Sequence, residues 1–186
     1  YKTDAQNVYS SAFQNMNATA GKNNVTASLA ALKASGATRI DLGLEMAKGI
    51  LNANPVAAGE KRNRVVVVFT DGSPTDYNGF QLNVANNAIS EARTIKGAGA
   101  TVYAIGIFEG ADATSAGTKP SGDLNNNSNQ LPAACNWFMQ NVSSNDGTPR
   151  TPSYYLTPSD EGGLDRIFKQ ISGQIETGGT TTTLEE

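Results

Sequence analysis

The chain has 186 residues, with 14 Lys and Arg against 17 Asp and Glu for a net charge of -3. That length suits a single domain, because single cores stop growing only beyond ~250 residues, and so thin a positive charge excludes the basic stripe that a nucleic-acid partner needs. There is no histidine and only one cysteine, Cys135. A Ser-His-Asp triad, a Cys-His dyad, a His-ligated zinc or an internal disulfide therefore cannot be assembled. No run of 18 apolar residues is present, so membrane insertion is not expected. Asn and Gly occur 19 times each, a polar uncharged balance that points toward the cell exterior.

In chain order, residues 1–24 are polar and Asn-rich and read as an irregular segment, followed by a short helix over 25–34. Residues 42–52 place Leu42, Met46, Ala47 and Ile50 on one helical stripe. RVVVVFT (64–70) is almost continuously apolar and β-branched, the pattern of a strand covered on both faces in a parallel sheet. Such a strand needs a neighbour on each side. Residues 83–98 form an amphipathic helix through Val84, Ala88, Ile89, Ala92 and Ile95, stopped by Gly97 and Gly99. TVYAIGIF (101–108) completes a βαβ unit.

Residues 110–130 are a polar loop longer than compact folds usually hold, which makes it either a functional loop or a partly mobile one. A helix over 132–142, a short strand at 154–156 and a helix over 164–175 follow, the last with Ser159, Asp160 and Glu161 supplying its N-cap and first-turn acids. Trp137, Tyr154 and Tyr155 are expected in the core rather than on a recognition surface. Residues 177–186 are a Gly/Thr-rich linker or tail. The whole predicts an α/β fold: a three-layer, doubly wound, mainly parallel sheet flanked by helices.

Ligands of open parallel sheets bind at the carboxyl ends of the strands. Here that end carries Thr70-Asp71-Gly72-Ser73-Pro74-Thr75-Asp76, whose side chains offer only oxygen ligands. Oxygen donors select hard cations, Mg²⁺ or Mn²⁺ and also Ca²⁺. Read alone, Asp71 and Ser73 are better explained as capping a turn or the next helix. A second segment, Ser35-Gly36-Ala37-Thr38-Arg39-Ile40-Asp41-Leu42, feeds a helix about thirty residues earlier. Asp41 is the better N-cap candidate for that helix, which leaves Thr38 without a structural duty.

This ordered set resembles the von Willebrand factor type A domain, closest in character to those of Gram-positive surface and pilus adhesins. Gly-x-Thr38 ahead of a helix and Thr70-Asp71-Gly72 at the end of a Val-rich strand match the second and third loops of that family's metal-ion-dependent adhesion site. TVYAIGIF, Tyr154-Tyr155 and LDRIFKQISGQI also follow in the family's order. The resemblance implies metal ligation by Thr38 and Asp71, with Arg39, Ser73 and Asp76 on the ligand face. The family's Asp-x-Ser-x-Ser loop has no counterpart upstream of Thr38. Residues 1–176 are accordingly expected to be a partial domain lacking its N-terminal strands, unable alone to complete the metal site.

The function expected from the resemblance is a non-enzymatic surface adhesion module on the bacterial cell wall. Its bound Mg²⁺ or Mn²⁺ would accept an acidic group from a host or matrix protein, with stalk or pilin domains adjacent in the parent protein. An intracellular scaffold subunit with the same fold is the alternative. A hydrolase using Asp71 and Asp76 as a carboxylate pair is less favoured, because nothing supplies a nucleophile with its base.

Overall fold

A computed structural model describes residues 13–31, 36–60, 62–71, 73–160 and 162–178. The elements are α1 (Thr19–Ala31), α2 (Ile40–Ala53), β1 (Val65–Thr70), α3 (Leu82–Gly97), β2 (Thr101–Gly106), α4 (Leu131–Val142), β3 (Tyr155–Leu156) and α5 (Gly163–Gly178). The three strands pair in the order β1-β2-β3, all parallel, with Val65 opposite Thr101 and Ala104 opposite Tyr155. The α/β architecture expected from the alternating pattern is thus present.

Alternation of side chains along a strand sends neighbouring residues to opposite faces, and the two sides of β2 feed two separate clusters. Val102 and Ala104 join Val68 and Tyr155 beneath α2, α3 and α4, around Leu44, Ile89, Ile95 and Phe138. Tyr103 and Ile105 join Leu156 beneath Ile167 and Ile171 of α5. Helices therefore cover both faces in three layers. Each fully buried aliphatic or aromatic side chain contributes ~1.5–3 kcal/mol relative to exposure. Helix α1 stands apart from both clusters: only Gly21 and Ser28 are buried along it, and Leu29 is exposed.

Several boundaries differ from the sequence reading. Helix α1 begins at Thr19 rather than 25, and α2 begins at Ile40. Asp41 is not the N-cap; it lies in the first turn of α2, where both its carboxylate oxygens accept hydrogen bonds from Arg39. The start of α3 is satisfied from afar, since the Leu82 N–H donates to Asp123 Oδ1 in the long loop. Its end is as expected, with Gly99 in the left-handed region at φ 82. Asp160 accepts from the Gly162 N–H just before α5, while Glu161, residues 1–12, 32–35 and the tail from 179 lie outside the described residues.

β1 does not have the burial of a central strand. Among the described residues it pairs only with β2, and Val67 and Phe69 are each 39% exposed, whereas β2 is buried from Val102 through Gly106. The apolar run is real; its second neighbour is not among the described residues.

The lone thiol is structural. Cys135 is buried on α4, and burial pushes its pKa up to about 12 by disfavouring the thiolate. At pH 8 a thiol of that kind is ionised to about one part in ten thousand. Native protein is expected to leave an aromatic disulfide reagent unreacted at pH 8 and to release one equivalent of chromophore on unfolding. Prompt reaction of the folded chain would contradict this placement.

Candidate metal-binding site

The parallel sheet delivers Asp71 directly from the last residue of β1, where Thr70 accepts a hydrogen bond from the Ile107 N–H of the next strand's end. Asp71 is exposed, and among the described residues its carboxylate engages no hydrogen-bond donor or cation. Thr38 lies in the loop entering α2. The two loops are stitched together by the Thr75 N–H, which donates to the Thr38 carbonyl at 3.1 Å.

Arg39 adds a second fastening. Its guanidinium binds Asp41 at 2.9 and 2.8 Å and reaches across to Asp76 at 3.2 Å. The hydrogen bonds to Asp41 outweigh the opposing effect of burial, and the negative charges of Asp41 and Asp76 hold the Arg39 pKa further above its ordinary value. The planar fork of arginine suits this shared duty between carboxylates. Arg39 and Asp76, expected on a ligand face, are thus engaged with each other and position the loops. Ser73 is half-buried and donates to the Gly79 carbonyl at 3.1 Å.

Thr75 is the residue that sequence reasoning did not single out. Besides its backbone link to Thr38, its Oγ1 is buried with no hydrogen-bond partner among the described residues. A buried hydroxyl left unpaired is costly. Like the Thr38 hydroxyl and the Asp71 carboxylate, it is an oxygen donor, the chemistry that hard divalent cations select. Among the described residues, no three carboxylates or thiols gather into a metal-holding group.

A family model of the von Willebrand factor type A domain matches residues 5–144, well over half the chain. The chain belongs to that family. Comparison with curated proteins and with solved structures returned no match. Domains of the family are in general protein-interaction modules, and among the described residues of this one no helix is long and apolar enough to cross a membrane.

The long loop of this vWA domain is fastened rather than loose. On α4, buried Asn136 accepts from the Asp112 N–H at 2.9 Å and from the Tyr155 hydroxyl at 2.7 Å, and donates to the Gly110 carbonyl at 2.8 Å. One turn on, Gln140 donates to the carbonyls of Ala113 and Ser115. A backbone bridge joins Phe80 to Leu124, and Asn126 donates to Asn78. The loop so held forms one wall of a cavity of about 600 Å³, of which Asp71 and Ser73 form part of the other. Of the aromatic residues considered above, Tyr155 is fully buried, whereas Trp137 is half-buried beneath the Lys119 ammonium, 5.7 Å from the ring centroid.

Proposed function

We propose that this vWA domain is a metal-dependent binding module of a bacterial cell surface, engaging an acidic group of a host or matrix protein rather than performing catalysis. The observation that carries the metal reading is the uncompensated Asp71 carboxylate at a strand end, in a loop tied through Thr75 to Thr38. The polar uncharged composition and the single cysteine support the exterior setting. The resemblance to Gram-positive adhesins implies that stalk or pilin domains would then flank this one.

In this reading Thr38 and Asp71 hold Mg²⁺ or Mn²⁺, with Ca²⁺ a further candidate, and Thr75 adds an oxygen at the same junction. The cation supplies Lewis acidity toward a partner's carboxylate. Few direct carboxylates from the chain leave it electrophilic. Arg39 does not contact the partner; it fixes the separation of the two loops by holding Asp41 and Asp76 at once. Ser73 orders the turn that follows Asp71.

Paramagnetic broadening tests the assignment and detects weak binding. Adding Mn²⁺ to the isotopically labelled full chain should broaden amide signals around Thr38, Asp71 and Thr75 first, and excess Mg²⁺ should restore them. Asp71→Ala should weaken the effect by about tenfold or more, the consequence of losing the carboxylate that follows β1. Uniform broadening over the surface, or equal broadening in the variant, would defeat the proposal.

A further inference from the structure

We infer that the cavity between the β1 loop and the long loop is a binding site for neutral, hydroxyl-rich ligands, the pyranose units of a glycan. Its volume, about 600 Å³, is in the range of small-molecule sites, which run ~300–1,000 Å³. The argument rests on what lines it. Asp71, directly after β1, and Glu109, in the turn that follows β2, line it together with the amides of Asn126, Asn127 and Asn129, and Phe108 contributes apolar surface.

Carboxylates only accept hydrogen bonds, whereas each side-chain amide both donates two and accepts. A hydroxyl does both at once, so neighbouring hydroxyls on a sugar ring can donate to Glu109 or Asp71 while accepting from an asparagine. The aromatic ring of Phe108 offers apolar surface to the sugar's C–H groups. An anionic ligand is disfavoured, because the described lining contains two carboxylates and no Lys or Arg. An extended peptide would instead want backbone partners, and the wall is presented by side chains of a turn-rich segment rather than by a strand.

The site is also preformed. Asn136 and Gln140 hold the first part of the loop to α4, and the Phe80–Leu124 bridge and the Asn126–Asn78 hydrogen bond hold the last part to the β1 loop. Little ordering entropy is left to offset on binding. Among the described residues the side chains of Glu109 and Asn129 carry no hydrogen bond or ion pair, so their polar atoms are available. The cavity shares Asp71 with the proposed cation site, but Glu109 and Asn129 are not among the proposed metal ligands, so a test made on those two residues without divalent cation fails or succeeds independently of the cation reading.

Saturation-transfer NMR on the full chain, in EDTA so that no divalent cation contributes, tests it with the methyl glycosides of mannose, galactose, glucose and N-acetylglucosamine. Transfer to at least one of these is expected, with much weaker transfer to methyl-sialoside. The double variant Glu109→Ala, Asn129→Ala should bind about tenfold less tightly while melting at the parent temperature, both residues being exposed. Absence of transfer to all four neutral glycosides would overturn the inference. So would undiminished transfer in the double variant, or transfer to an oligolysine peptide in their place.

Discussion

Replacing Asn136 by alanine is expected to destabilise the domain by about 3 kcal/mol, since one buried and two part-buried hydrogen bonds are lost, each worth ~0.5–1.5 kcal/mol with a further penalty for the orphaned Tyr155 hydroxyl. For a chain of this length that corresponds to a fall in melting temperature of roughly 10 °C. The partners are the Asp112 N–H, the Gly110 carbonyl and the Tyr155 hydroxyl, so the first turn of the long loop should lose its attachment to α4. Tyr155→Phe removes only one of the three and should cost about a third as much. Thermal melts of both variants, with amide hydrogen exchange over residues 110–118, check the pair. Equal losses would place the stability in the single Tyr155–Asn136 hydrogen bond instead of in the asparagine's hold on the loop.

Gly79→Ala is expected to be comparably severe, at about 3 kcal/mol. Gly79 adopts φ 63, and a β-carbon there would overlap the Leu124 carbonyl oxygen and crowd Asn125. The left-handed conformation accounts for ~1 kcal/mol of the penalty, and displacing well-packed backbone for another ~1–3 kcal/mol. Gly49→Ala in α2, where a β-carbon meets nothing within 4 Å, should move stability the other way by ~0.5–1 kcal/mol through helix propensity. Denaturant midpoints of the two variants should therefore shift in opposite directions. A neutral Gly79→Ala would mean that the Phe80–Leu124 bridge does not fix the loop.

What the sequence made legible was local or periodic. β2 and α3 were readable because six consecutive apolar or small residues and a one-sided stripe leave few alternatives, and the place of Asp71 directly after β1 because the apolar run ends at Thr70. What it concealed depended on partners distant along the chain. Asp41 looked like a cap by local rule, but a guanidinium two residues away competes for it, and that guanidinium is itself drawn to Asp76. The start of α3 is finished by Asp123, 41 residues on. The long loop looked unattached because its fasteners, Asn136 and Gln140, are amides on the buried side of α4, where polar residues give no periodic signal. Thr75 contributes to the site through its backbone N–H, which no side-chain pattern reports.

The clasp formed by Arg39 has two unequal halves. The Asp41 side chain is 6% exposed and that of Asp76 is 47% exposed. Dissolved ions reach the second and barely touch the first, because screening acts on solvent-facing charges over ~8 Å at physiological ionic strength. Rising salt thus loosens the reach to Asp76 while the guanidinium stays anchored on α2, and the backbone link from Thr75 to Thr38 carries more of the fastening between the loops. The hold of the α2 loop on Asp76 is thereby a property of the medium as well as of the chain, firmest in dilute solution and weakest in brine.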